Sequence, residues 1–322
     1  MIHDSTLGPA LGGTRFWNYE SDRDALIDCL RLARGMTYKA AVAGLNLGGG
    51  KSVIIGDNKT RNREPVFRAH GRHVQAMGGR YITAEDVGTS TGDMEYIKAE
   101  TDHVTGLIGK SGDPSPVTAF GVYRGIKACA KHRYGSDSLN AKTVAIQGCG
   151  NVGYYLAQLL VSEGARLTVT DIDSAKVQKV VDEFRAHAVK PDEIIGTKAD
   201  IFAPCAMGGI INDDTLPKLK VEIVAGGANN QLAEERHGDE LEKKEITYAP
   251  DYVINGGGLI NVNAELQGWT MERARNKAGE IYDTILRVFE IAEEEGIPSY
   301  RAADRLAEQR IAAIAKVRQN FV

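Results

Sequence analysis

Val144-Ala145-Ile146-Gln147-Gly148-Cys149-Gly150-Asn151-Val152-Gly153 leads from an apolar strand through G-x-G-x-x-G into a helical pattern carried by Tyr155, Leu156, Leu159 and Leu160. Gly148 permits the tight turn, Gly150 lets a pyrophosphate approach the backbone, and Gly153 lets helix and strand pack closely. The start of the helix offers free N–H groups and a partial positive charge to phosphates. The glycine pattern alone is weak. Here, however, a second strand, Arg166-Leu167-Thr168-Val169-Thr170, ends in Asp171 at the distance where an acidic side chain takes the ribose hydroxyls of NAD. The combination predicts a Rossmann dinucleotide site. A carboxylate at Asp171 repels the extra 2′-phosphate of NADP, and no arginine stands in Thr170-Asp171-Ile172-Asp173, so NAD is the expected cofactor.

The rest of the chain sets this unit in a larger frame. At 322 residues it exceeds what one core usually holds, and two domains are expected. The composition is 43% hydrophobic and 25% charged, as in ordinary globular proteins. A net charge of −4 argues against a nucleic-acid partner. No long uninterrupted apolar run suggests a membrane span, and Met1 to Ala10 lacks the pattern of a secretory signal. Cys29, Cys129, Cys149 and Cys205 are scattered, without CxxC or zinc spacing, which predicts reduced thiols, no metal site and a cytoplasmic setting.

The pattern is α/β. An N-terminal mixed α/β domain is expected over residues 1–113 and the Rossmann domain over 114–291. A helical C-terminal tail, about 292–322, is expected to pack back on the first domain. The junction is placed in the Gly-, Pro- and Ser-rich stretch from Gly106 to Pro116. In the first domain, Ser21 and Asp24 mark a helix start, followed by Leu26, Ile27, Leu30 and Ala33 at helical spacing. Ser52-Val53-Ile54-Ile55 reads as a buried strand. Pro65 opens a helix with Phe67, His70, Val74 and Met77 on one face, and a strand follows at Arg80 to Thr83.

Leu47-Gly48-Gly49-Gly50-Lys51-Ser52 invites comparison with a P-loop, but the required upstream glycine falls on Leu45 and a strand follows where a P-loop needs a helix. The better reading is that three glycines leave room for a small substrate, with Lys51 at the rim. Lys39, in a mostly small and apolar setting, either snorkels from a helix or anchors an anion. Asp86, at the end of Ile82-Thr83-Ala84-Glu85-Asp86, either caps a helix or serves the site.

Several of these stretches together resemble the Glu/Leu/Phe/Val dehydrogenase family, most nearly its leucine-acting branch. They are Leu7-Gly8-Pro9-Ala10-Leu11-Gly12-Gly13-Thr14-Arg15, Gly35-Met36-Thr37-Tyr38-Lys39, Gly48-Gly49-Gly50-Lys51 and Ile82-Thr83-Ala84-Glu85-Asp86-Val87-Gly88-Thr89. Ala203-Pro204-Cys205-Ala206-Met207-Gly208-Gly209, Ala228-Asn229-Asn230-Gln231-Leu232 and Tyr248-Ala249-Pro250-Asp251-Tyr252-Val253-Ile254-Asn255 extend the likeness nearly end to end.

The resemblance implies an N-terminal catalytic domain and NAD-dependent, reversible oxidative deamination of leucine, valine and isoleucine to 2-oxo acids and ammonia. It implies that Lys39 holds the substrate carboxylate, Lys51 is the catalytic lysine and Asp86 assists proton transfer. The Gly12-Gly13 backbone would lie against the substrate, with Leu11, Ala84, Leu259 and Val262 around its side chain. Thr118 and Asn230 would surround nicotinamide and substrate, and Gly148, Cys149, Gly150, Asn151, Val152, Gly153 and Tyr154 would form the NAD loop. The family also implies a homo-oligomer, and a further helix and strand ahead of Met1-Ile2-His3-Asp4.

The chemistry agrees with those roles. Hydride leaves the α-carbon only when the amine lone pair is free to form an imine, so a base must take a proton from the ammonium and later activate water. A lysine ordinarily titrates near 10.4; burial and a second ammonium both lower that value, and Lys39 is the expected second ammonium beside Lys51. A phenylalanine dehydrogenase of the same family is the alternative enzyme. A NAD-binding regulatory protein without catalysis is the alternative of another class, and the presence of Lys39, Lys51 and Asp86 argues against it.

Overall fold

A computed structural model describes residues 1–109 and 112–319. Lys110 and Ser111 of the expected junction, and residues 320–322 of the expected tail, lie outside the described residues. The chain divides into two compact units, one of Met1–Gly112, Val262–Trp269 and Ala307–Val322, the other of Asp113–Asn261 and Thr270–Leu306.

The elements of the first 112 residues are β1 (Ile2–Asp4), β2 (Ala10–Trp17), α1 (Asp22–Val42), β3 (Gly48–Gly50), β4 (Ser52–Ile55), α2 (Arg63–Ala76), β5 (Tyr81–Glu85) and α3 (Thr91–Lys98). Strand β2 is central. β3 and then β4 lie parallel along one side of it, β5 lies parallel along the other, and β1 runs antiparallel outside β3. Ser52–Ile55 is half-buried rather than buried, with Ile55 48% exposed, because it borders β2 on one side only.

Helix α1 starts as expected, with the Ser21 side chain accepting the Asp24 N–H. Its inward face is not the expected one. Leu26, Ile27 and Leu30 are exposed, and the buried positions are Ala25, Cys29, Ala33, Thr37, Ala40 and Ala41, with Val42 at the helix end. The cause lies in the strand beneath. A Cβ on Gly49 would fall 2.1 Å from the Thr37 backbone nitrogen, so helix and strand touch at backbone distance. Only small residues fit such an approach. The same geometry corrects the reading of the glycine run. A Cβ on Gly48 would meet the Asp4 carbonyl at 2.1 Å, and one on Gly50 the Tyr81 ring at 2.8 Å. The three glycines make room for β1, α1 and Tyr81, not for a ligand.

The other face of the sheet carries α2. Phe67 packs edge-on against Phe16 at 5.8 Å, and His70 Nε2 lies 2.8 Å from the Thr14 hydroxyl. Thr14 also bonds the Ser52 and Thr83 hydroxyls, and the Tyr81 hydroxyl donates to the Gly12 carbonyl. The helix cap near Asp86 falls instead on Ser90, which forms a capping box with Asp93.

In the second unit, α4 (Ser115–Tyr134) precedes β6 (Thr143–Gln147), α5 (Asn151–Ser162), β7 (Arg166–Thr170), α6 (Ser174–Phe184) and β8 (His187–Ala188). The rest of the chain adds β9 (Ile201–Pro204), β10 (Ile223–Val224), α7 (Arg236–Lys243), β11 (Thr247–Tyr248), α8 (Asp251–Ile254), α9 (Gly257–Gln267), α10 (Met271–Gly279), α11 (Ile281–Glu295) and α12 (Ser299–Gln319), of which α9 from Val262 and α12 from Ala307 belong to the first unit. The sheet is parallel in the order β11-β10-β9-β6-β7-β8. The strand order reverses at β6, where a doubly wound sheet binds its ligand.

Residues 292–306 of the expected tail go with this second unit, and the first unit takes α12 from Ala307 onward. There Arg310 donates to the Ala41 and Leu45 carbonyls at the end of α1, at 3.0 and 2.8 Å. A cation at that terminus meets both the unpaired carbonyls and the negative end of the helix dipole. No helix among the described residues is long and apolar enough to cross a membrane.

Burial pushes the His70 imidazole down to about 4. The neutral form is therefore favoured in the fold, and its contribution is present above the unfolded value near 6.5 and lost as pH falls toward 4. This single group should cost roughly 3 kcal/mol of stability across that interval. Melting temperature measured from pH 7 to 4 should fall less steeply for His70→Gln than for the parent chain; parallel curves would mean that His70 does not titrate in this way.

Candidate active site

Strand register brings the first set of residues together. Leu11 pairs with Gly49 and Ile82, Gly13 with Ala84, and Arg15 with Val53. Continuing the same register sets Lys51 opposite Gly13 and Asp86 opposite Arg15. Residues opposite one another, and every second residue along a strand, point to the same side. Leu11, Gly13, Arg15, Lys51, Ala84 and Asp86 therefore share the face over which α1 runs.

On that face the Lys51 Nζ lies 2.9 Å from Asp86 Oδ1, with the lysine side chain only 5% exposed and the carboxylate 22%. The lysine backbone is pinned as well: its N–H donates to the Met1 carbonyl at 2.9 Å, and its carbonyl accepts the Met1 ammonium at 2.8 Å. Burial pushes the Lys51 ammonium below its ordinary value, Asp86 opposes that shift, and Arg15 adds to it. Burial raises the Asp86 carboxyl, but Lys51 and Arg15 more than offset this and hold it below the usual range. Arg15 is thus a like charge acting on Lys51. Lys39 sits half-buried in the last turn of α1, two residues beyond the Thr37 that packs on Gly49.

Gly12 and Gly13 are required by the protein itself. A Cβ on Gly12 would strike the Gly50 carbonyl at 1.7 Å, and one on Gly13 would lie 2.7 Å from the Asp86 Cβ. The absent side chain at Gly13 is what lets Asp86 stand beside Lys51. Ala84 is partly open, whereas Leu11 is 1% exposed. Leu259 and Val262 are one turn apart on α9. Leu259 is buried, and Val262 is half-buried.

In the second unit, Gly148 adopts φ +102°, which disfavours any other residue, and its N–H donates to the Thr170 carbonyl at 2.8 Å. A Cβ on Gly153 would lie 1.9 Å from the Gly148 carbonyl, so this glycine fixes the contact of α5 with its own strand. Around Gly150 there is open space. Asp171 accepts the Cys149 N–H at 2.7 Å and the Asp173 N–H at 2.9 Å, which fixes the carboxylate at the end of β7. The Asn151 and Val152 N–H groups, in the first turn of α5, have no intrahelical acceptor. An open glycine, free N–H groups and a fixed carboxylate together fit a dinucleotide. Tyr154 offers less: its N–H is bonded to the Gly150 carbonyl and its hydroxyl to Glu183.

Thr118 lies on α4, its hydroxyl bonded to the Pro114 carbonyl at 2.9 Å. Asn230 is exposed and adopts φ +49°, a left-handed conformation uncommon outside glycine. The loop that holds it is stapled by residues the sequence reading did not single out. Gln231 donates through Nε2 to the Gly226 and Ala228 carbonyls, and through its backbone to Asp251. Asn255 donates to the Asn229 side chain at 2.8 Å. Arg15 was also missed as a site residue, although an arginine two positions beyond Gly13 in an otherwise uncharged strand is a readable signal.

Residues 1–103 match the family model described as Glu/Leu/Phe/Val dehydrogenase, dimerisation domain. Residues 109–175 and 170–319 match Glutamate/Leucine/Phenylalanine/Valine dehydrogenase. Leucine dehydrogenase of Geobacillus stearothermophilus is 60% identical, with 100% of this chain and 88% of that enzyme covered. Valine dehydrogenase of Streptomyces coelicolor is 47% identical, over 97% and 87%. The crystal structure of L-tryptophan dehydrogenase from Nostoc punctiforme superposes with a TM-score of 0.91 at 47% identity, covering 98% of this chain and 92% of that one. With both units matched and identity this high along its whole length, the chain belongs to the Glu/Leu/Phe/Val dehydrogenase family and is an amino-acid dehydrogenase.

Proposed function

We propose that this chain oxidatively deaminates branched-chain L-amino acids with Lys51 and Asp86 as its catalytic pair and Lys39 as the anchor of the substrate carboxylate. The observation that carries the proposal is the 2.9 Å contact between a buried Lys51 ammonium and Asp86 on one face of the first sheet. Leucine is placed first among substrates because leucine dehydrogenases are the relatives of 57–60% identity. The first unit is the substrate domain and the Rossmann unit the cofactor domain.

Amino acid, NAD+ and water give 2-oxo acid, ammonium, NADH and one proton. NAD, when bound, accepts the hydride from the α-carbon. Gly148, Gly150, Asn151, Val152 and Asp171 would hold it, with Thr118 and Asn230 toward its nicotinamide. The protein's own work concerns protons. Lys51, depressed by burial, takes a proton in its neutral form and activates the water that attacks the imine carbon. Asp86, ionised beside it, exchanges protons with the substrate nitrogen and with Lys51. Lys39 supplies a fixed positive charge to the α-carboxylate, which orients the α-carbon.

We further propose a homo-oligomer in the cytoplasm without a nucleic-acid partner. Leu26, Ile27 and Leu30 leave an apolar outer strip on α1, the chain matches a dimerisation domain, all four cysteines are free thiols, and the net charge is −4. Residues 1–113 and 114–291, with a return segment toward 322, remain the proposed functional division.

Three tests follow from these roles. Lys51→Ala should lower kcat by about 100-fold or more while NADH binding, read by fluorescence, is unchanged; Lys39→Ala should instead raise KM for leucine most. Near-native turnover in Lys51→Ala would overturn the assignment. Asp171→Ser should weaken NAD and narrow its lead over NADP, and a parent enzyme that prefers NADP would contradict the reading of Asp171.

The third test concerns the side-chain pocket. Leu11, Ala84 and Val262 of the first unit are uncharged, so burying a branched chain against them gains about 1.5–3 kcal/mol, whereas a buried glutamate carboxylate finds no partner. Leucine, valine and isoleucine should all be used, with phenylalanine poor and glutamate rejected. Ala84→Gly should raise kcat/KM for phenylalanine relative to leucine. A parent enzyme that prefers phenylalanine or glutamate, or an unmoved ratio in Ala84→Gly, would refute this pocket.

A further inference from the structure

Asp86 has two carboxylate oxygens, and each has a different cation. Oδ1 faces Lys51 Nζ at 2.9 Å, and Oδ2 accepts from Arg15 Nε at 2.8 Å. Arg15 does not end there. Its Nη1 donates to Asp28 Oδ2 at 2.7 Å, the same oxygen that accepts the Tyr19 hydroxyl at 2.6 Å. Arg31 meets the other Asp28 oxygen at 3.2 Å. A planar guanidinium thus bridges two carboxylates, one in the catalytic pair and one on α1, with its side chain 21% exposed.

We propose that Arg15 is a positioning residue for the deamination: by holding Asp86 Oδ2 it commits Oδ1 to Lys51 and keeps the pair ready to pass a proton. The proposal rests on the reading of Lys51 and Asp86 as the catalytic pair. Its logic is geometric first. A carboxylate held through one oxygen can still rotate about its χ2 bond, whereas one held through both oxygens by partners on two different strands has a single orientation. Arginine suits this role because its forked donors reach two acceptors at once; a lysine supplies the charge at a single point.

The second effect is electrostatic. The charged groups facing Asp86 are Lys51 from the β3–β4 segment and Arg15 from β2. Asp28 and Arg31 from α1, with Tyr19 just before it, stand behind Arg15. Removing the guanidinium weakens the ionised form of Asp86 and also relieves repulsion on the Lys51 ammonium, so both groups hold their protons to higher pH. Removing the Asp28 charge has the opposite sign at Lys51, because that carboxylate favours the ammonium. A purely structural role for the cluster predicts no such difference in sign.

The experiment compares Arg15→Gln, Arg15→Lys and Asp28→Asn as full-length enzymes, with leucine and NAD as substrates. For Arg15→Gln the rising limb of kcat against pH should move upward by about one unit or more. Turnover at neutral pH should fall by about tenfold or more, while KM for leucine and NADH binding change little. Arg15→Lys should bring the limb back toward the parent value, and Asp28→Asn should not move it upward. An Arg15→Gln limb that stays in place, a loss carried wholly by KM, or an equal upward shift in Asp28→Asn would each overturn the proposal. If Arg15→Gln fails to fold by circular dichroism, the other two variants decide: a near-parent limb in Arg15→Lys with a downward shift in Asp28→Asn supports it, and an unmoved or upward-shifted limb in Asp28→Asn refutes it. Near-native turnover in Lys51→Ala or Asp86→Asn would instead remove the underlying reading of the pair, whatever Arg15 does.

Discussion

The Lys51–Asp86 ion pair is the interaction on which the rest of the site depends, and it is an expensive one to build. A lysine 5% exposed has lost nearly all its water, and the attraction of one carboxylate repays that loss only when the geometry is good and the remaining lone pairs are satisfied. Three features supply the geometry. Constant register across β2 sets Lys51 and Asp86 on one face. Gly13 leaves space where a Cβ would collide with Asp86, and Arg15 occupies the second carboxylate oxygen. The residual strain between burial and attraction is what leaves the lysine easier to deprotonate than it is in water.

The same demand explains the least expected feature of the fold. The strand that delivers Lys51 is made of glycines, which lets α1 settle on it at backbone distance. The helix must then turn Ala25, Cys29, Ala33 and Thr37 inward. Its larger apolar residues, Leu26, Ile27 and Leu30, are left outward. An outward apolar strip is thus a consequence of close packing beneath it, before any partner is considered.

These points also mark what was legible in the sequence. The Rossmann half was, because G-x-G-x-x-G and the acidic end of the next strand are local patterns whose spacing carries their geometry. So were the start of α1 at Ser21 and the identity of Lys51 and Asp86 as a pair to watch, through motif resemblance. The inward face of α1 was not. Hydrophobic periodicity assumes that the largest apolar residues are buried, and that assumption fails opposite a surface with no side chains. The glycine run was misread for the same reason: the emptied space is taken by Asp4, Thr37 and Tyr81, which are remote in sequence. Arg15 went unnoticed because its partners, Asp28 and Asp86, meet it only through the fold.

Charge balance links this cluster to the direction of catalysis. With Lys51 protonated, Lys51 and Arg15 are matched by Asp86 and Asp28, the further cation Arg31 being 70% exposed and screened by solvent. With Lys51 neutral, the four groups carry one negative charge in a site largely shielded from water, where an uncompensated charge is costly. In the proposed mechanism an amino-acid ammonium entering beside the pair would restore the balance that loss of the lysine proton removes. The neutral lysine and the substrate ammonium would thus favour each other's presence, whereas two ammonium groups together with Arg15 would exceed the carboxylates of the cluster. With Lys51 as the proposed base, binding of the cationic amine would favour the protonation state in which it can act, and transfer of a proton from substrate to lysine would leave the total charge of the cluster unchanged.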